Sequence, residues 1–242
     1  MKKRTFFAAA CLGAACAAAV FSIVFFRPKA VRIACVGDSI TWGAYLKNRS
    51  RECYPARLQQ LLGNSYLVKN FGVNSATVQS SGDKPYREQP AFERSAAFSP
   101  NVVFLMLGTN DTKKGNWKDI DSFCRDYEKL IDFYLALPSS PRLYILTPPP
   151  LFSLEKDGAI RFAMHREYLN LEIALLKDIA EERDIPLIDI HEALLGQEQF
   201  FTSPWTASIP TAAEHSLSPK PSVGNFAPLS KTLQINLVKA VF

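Results

Sequence analysis

Two short stretches of this chain are apolar at almost every position, Val31 to Val36 and Asn101 to Leu107, and Arg142 to Thr147, ended by Pro148-Pro149-Pro150, is a further strand. A strand with one wet face alternates polar and apolar residues, so runs like these must be covered on both faces. Between them lie segments of helical spacing. Tyr54 to Leu62 places Leu58, Leu61 and Leu62 on one face and stops at Gly63-Asn64. Trp117 to Leu137 repeats Ile120, Phe123, Tyr127, Leu130, Ile131 and Tyr134, and Ile160 to Arg183 is a long amphipathic helix. Tyr66 to Val73 and Pro186 to Ile190 supply two more strands. Strands alternating with helices imply right-handed crossovers. The predicted class is α/β, a three-layer α/β/α arrangement around a mostly parallel five-stranded sheet. Strand order is not set by these patterns.

Sites in such sheets form outside the carboxyl ends of the strands. Ser39, the Asn74 region, Asn110 and Pro148 all fall just past strand ends, so the topology gathers them on one rim. Gly37-Asp38-Ser39-Ile40-Thr41 ends the first buried run, and Gly108-Thr109-Asn110-Asp111 ends the run from Asn101 to Leu107. A serine placed there is a candidate nucleophile, with Gly37 allowing a tight turn that exposes its hydroxyl. A serine hydroxyl needs a base to take its proton, and the tetrahedral intermediate needs donors aimed at its oxyanion. Asn110 offers a side-chain amide; backbone N–H groups near Ser39 and in Gly72-Val73-Asn74-Ser75 offer more. The competing reading makes Gly-Asp-Ser a turn in which Ser39 or Thr41 caps a helix, and Asn110-Asp111 another turn. Two such clusters ending separate buried runs favour a site.

The chain divides by composition. Residues 1–29 open with Met1-Lys2-Lys3-Arg4, run uncharged from Thr5 to Phe26 and close on Arg27-Pro28-Lys29. This is either an uncleaved membrane anchor or a cleaved secretory leader, and either makes the protein exported: membrane-anchored, or secreted or periplasmic. Residues 30–201 form the globular domain, and 202–242 form an atypical tail rich in proline, serine and small residues. Cys35, Cys53 and Cys124 match no zinc spacing, so neither a metal nor a disulfide framework is expected. The net charge of +5 lies partly around the leader, and no basic stripe interleaves with aromatics, which argues against a nucleic-acid partner. Oligomeric state is left open.

From Val31 to Phe201 the chain resembles the SGNH (GDSL-type) hydrolases. Gly37-Asp38-Ser39-Ile40-Thr41 matches their first block, so the resemblance makes Ser39 the nucleophile. Asn70-Phe71-Gly72-Val73-Asn74-Ser75-Ala76-Thr77 resembles the second block, Asn-x-Gly-x-x-Gly, whose second glycine donates its backbone N–H to the oxyanion. Ser75 stands at that glycine's position; it keeps an N–H, but is strained if the turn requires positive φ. Gly108-Thr109-Asn110-Asp111 matches the third block, making Asn110 the side-chain oxyanion donor. The resemblance implies a flavodoxin-like SGNH hydrolase fold and a serine esterase without cofactors. Its substrates would be small acyl esters, with acetylated carbohydrate among them.

The family's Asp-x-x-His block, whose histidine is the base and whose aspartate orients it, is missing from this chain. His165 lies in the long helix and reads as a surface or packing residue. His191 follows Asp189 by two residues and resembles a strand-end structural histidine. His215 is in the right stretch but lacks an upstream aspartate. Back-translation offers an explanation. Read from the third base of the Pro204 codon, the Trp205-Thr206 junction forces an aspartate, and the following codons permit Arg, Val, His, Pro and Asn. The expectation is a frameshift between Thr202 and Pro204 that replaced the catalytic block and a final helix. If the chain works as written, it is an esterase deprived of its base. The rival reading is a catalytically degenerate, membrane-tethered module that binds carbohydrate or envelope components.

Overall fold

The computed structural model describes residues 29–151 and 161–196. The leader, apart from Lys29, and the tail from residue 202 lie outside the described residues, His215 among them. Among the described residues no helix is long and apolar enough to cross a membrane.

Five strands form one wholly parallel sheet: β1 (Val31–Gly37), β2 (Tyr66–Gly72), β3 (Val102–Met106), β4 (Arg142–Leu146) and β5 (Leu187–Ile188), in the order β2-β1-β3-β4-β5. The helices are α1 (Ser39–Trp42), α2 (Arg49–Glu52), α3 (Tyr54–Leu62), α4 (Pro90–Ala97), α5 (Ile120–Leu135), α6 (Arg166–Glu182) and α7 (Ile190–Leu194).

Strand alternation builds two cores. Ala34, Val36, Val103, Leu105, Leu143 and Ile145 face one way and pack against α4, α5 and α6. Ile33, Cys35, Val102, Phe104, Met106, Tyr144 and Leu146 face the other way, against Tyr54 and Leu58 of α3 and Ile190 and Leu194 of α7. The result is the expected three layers. Phe123, Tyr127, Leu130, Ile131 and Tyr134 of α5 are all fully buried. Burying a large apolar side chain is worth about 1.5–3 kcal/mol, far more than helix propensity contributes.

Two helix starts differ from expectation. Asp119 caps α5 by accepting from Ser122 N at 2.6 Å, so the helix begins at Ile120, and the Trp117 ring stacks on Tyr168 with centroids 4.5 Å apart. Helix α6 begins only at Arg166, because Phe162 and Ala163 have positive φ (61° and 50°) and His165 is extended, its N–H bonded to Thr112 O at 3.0 Å. Helix α4 has no counterpart in the sequence reading. It buries only Ala91, Phe92 and Ser95, too few for a periodic signal, and is fixed instead by Ser95 Oγ, 2.6 Å from Phe92 O and 2.7 Å from the Tyr134 hydroxyl.

Candidate active site

The backbone leaves β1 at Gly37 and turns at once into α1. Asp38 is the cap: its Oδ1 accepts from Ile40 N at 2.9 Å, and Gly43 closes the helix with φ 85°. The cap is therefore Asp38 rather than Ser39 or Thr41, and Ser39 occupies the first helical position, 9% exposed. Gly37 serves close packing rather than exposure of the hydroxyl: a Cβ there would collide with Thr41 Oγ1 and sit 2.6 Å from Met106 O.

The three polar blocks are tied to one another. Val73 N donates to Gly37 O at 2.9 Å, joining the loop after β2 to the end of β1. Asn110 Nδ2 donates to Ala76 O at 3.1 Å and lies 3.5 Å from Asp38 Oδ2, bridging the loops that carry Ser75 and Ser39. Asp111 accepts from Val78 N and Gln79 N at 2.8–3.0 Å. Ser75 has φ 64°, so the position does require the left-handed conformation, and a serine holds it. Among the described residues, neither the Ser39 N–H nor the Ser75 N–H has an acceptor.

Three buried carboxyl groups surround these loops. Burial pushes Asp38 up to about 6, against the pull of the Ile40 N–H and the Thr109 hydroxyl. Burial, with Asp38 adding to it, pushes Asp111 up to about 7 against the Gln79 and Val78 N–H groups. Glu172 of α6 is raised well above the ordinary carboxylate range by burial first, then by Asp111 and Asp38. Sequence reasoning missed Glu172. The signal was present, because it interrupts the apolar stripe Leu169, Ile173, Leu176, Ile179 and Ala180 with a charge. Among the described residues no group of His, Cys, Asp and Glu could hold a metal ion, and Cys35, Cys53 and Cys124 are free thiols.

The profile of the GDSL-like Lipase/Acylhydrolase family matches residues 35–209. The chain belongs to this family. It is a member of the SGNH/GDSL group of carboxylic-ester hydrolases. A curated relative, an acetylxylan esterase of Xylanibacter ruminicola, is 33% identical over 187 residues, a match covering 70% of this chain and 38% of the relative. The chain thus spans under half the length of that relative. Among solved structures, a carbohydrate acetylesterase from Sinorhizobium meliloti and the aryl esterase of M. smegmatis each superpose with a TM-score of 0.56 at 21% identity, covering 67% of this chain and 85% of theirs. These two share the fold.

In this GDSL-family chain neither described histidine hydrogen-bonds Ser39. His165 precedes α6, its Nδ1 2.9 Å from Glu167 Oε1 and its ring against Tyr168. His191 is half-buried in α7, where burial lowers its basicity; its Nδ1 has no partner among the described residues. Asp189 does not orient it. That carboxylate accepts from Thr147 Oγ1 and Glu192 N and pairs with Lys177 at 2.7 Å. No described side chain hydrogen-bonds the Ser39 hydroxyl.

Proposed function

We propose that this protein is a serine esterase whose nucleophile is Ser39. The observation that carries the reading is the meeting of the Ser39, Ser75 and Asn110 loops through the Asn110 amide, with the Ser39 and Ser75 N–H groups finding no acceptor among the described residues. Ser39 Oγ would attack the acyl carbonyl carbon, and the carbonyl electron pair would move onto oxygen. That oxyanion would receive hydrogen bonds from the N–H groups of Ser39 and Ser75 and from Asn110 Nδ2. Collapse would expel the alcohol and leave an acyl-enzyme, which water then hydrolyses. The proton taken from Ser39 must reach the leaving alcohol, so a base has to come from outside the described residues. His215 is the one histidine there, and the Asp-Arg-Val-His-Pro-Asn permitted in the other frame after Pro204 is the better candidate. Small acyl esters, acetylated carbohydrate among them, are the proposed substrates: the acetylxylan esterase relative supports this choice. Export fits both the leader and the family.

The test compares p-nitrophenyl acetate turnover by the chain as written with turnover by the same chain carrying the other-frame tail. A base aligned on Ser39 should raise kcat by about 10³-fold or more, and Ser39→Ala should remove that gain. Codons that cannot encode histidine in that frame would end the frameshift account. Retention of acetylated oligosaccharide by both forms, with no gain in turnover, would favour the degenerate binding module.

A further inference from the structure

Glu172 is fully buried, and neither carboxyl oxygen has a hydrogen-bond partner among the described residues. It rises from α6 beneath Gly108, the residue that opens the loop carrying Thr109, Asn110 and Asp111. The fit is close: a Cβ on Gly108 would lie 2.6 Å from Glu172 Oε2 and 3.2 Å from Pro148 Cγ, and Gly108 has φ +132°. Among the described residues, the charged groups acting on Glu172 are Asp111 and Asp38, both acids, and the buried Tyr127 of α5 carries a phenol that stays neutral. An ionised carboxylate in that place would be buried and unpaired beside two acids, a state that proteins avoid by keeping the proton. A protonated carboxyl remains a donor and an acceptor and fills the same space.

We propose that Glu172 is a positioning residue of the esterase site: held as the neutral acid, it supports the Gly108–Asp111 loop from beneath and keeps a negative charge away from the position where the acyl oxygen becomes negative. The inference rests on the Ser39 esterase reading for its consequence, though not for the protonation state. Glutamine copies the shape and neutrality of the protonated acid, and alanine copies neither.

The experiment uses the full chain as wild type, Glu172→Gln and Glu172→Ala. Thermal unfolding is followed between pH 4.5 and 8.5, and labelling of Ser39 by a fluorophosphonate is timed by mass spectrometry. Above pH 4.5 Glu172 ionises in the unfolded chain and stays protonated in the folded one, so the wild type loses stability as pH rises. Glu172→Gln should therefore melt with the wild type at pH 4.5 and increasingly above it towards pH 8.5. Glu172→Ala should label Ser39 about tenfold or more slowly at equal folded fraction, and glutamine should restore most of that loss. A glutamine variant less stable than wild type by a constant margin at every pH would show an ionised Glu172 and overturn the proposal. So would equal labelling of the alanine and glutamine variants. A wild type that is not labelled at all is what a serine without its base would give, and the melting comparison alone would then decide the state of Glu172.

Discussion

Gly108→Ala tests how tightly the site is built, because two separable penalties meet at that position. The first is conformational: φ +132° is a region that L side chains rarely adopt, and holding alanine there costs about 1–2 kcal/mol. The second is steric. The new Cβ would stand 2.6 Å from Glu172 Oε2, with Pro148 Cγ at 3.2 Å closing the other side, and overpacking of a buried site costs about 1–3 kcal/mol. The expected loss is about 2–5 kcal/mol, at about 2–4 °C of melting temperature per kcal/mol for a chain of this size. Glu172→Ala in the same background removes the steric part and leaves the conformational part. Urea unfolding of the wild type, both single variants and the double variant should therefore give a coupling of about 1–3 kcal/mol between the two positions. Additivity within about 0.5 kcal/mol would refute the packing of Glu172 against Gly108 and remove the physical basis for its positioning role.

Ser75→Gly should stabilise the protein by about 0.5–1 kcal/mol, because glycine relieves the φ of 64° at the cost of some unfolded-chain entropy; a urea midpoint that falls instead would contradict the strained turn. Asn110→Ala should lower kcat for p-nitrophenyl acetate by about 10²–10³-fold with little change in KM. The same change should cost only about 1 kcal/mol of stability, from the lost bond to Ala76 O. An unchanged kcat would exclude the amide from oxyanion stabilisation.

The sheet was legible because its central strands are apolar at almost every position. A run such as Val102–Met106, buried throughout, has no other place to go, and α5 advertises its buried face by strict helical spacing. Boundaries were less legible where side-chain caps decide them. Asp119 and Asp38 start helices through hydrogen bonds to the backbone a few residues on, and such bonds leave no periodic trace. Phe162 and Ala163 break the helical path by taking positive φ without being glycine, which no local preference announces. Helix α4 is held by a hydroxyl pair, Ser95 with Tyr134, between residues far apart in the chain.

The site divides in the same way. Ser39 and Asn110 could be named from the sequence because each follows a buried strand directly, and parallel neighbours end side by side. What lies beneath them depends on a helix that arrives much later in the chain. Asp38 and Asp111 carry hydrogen bonds that tie the site loops together, from Ile40 N to the first and from Val78 N and Gln79 N to the second, so their burial has a visible compensation. Glu172 has none. A hydrophobic residue of similar volume would fill the space under Gly108 without the penalty of desolvating a carboxyl group. An acid there therefore calls for a reason that leucine or methionine could not supply; kept protonated, it packs against Gly108 without placing a charge beneath the oxyanion site.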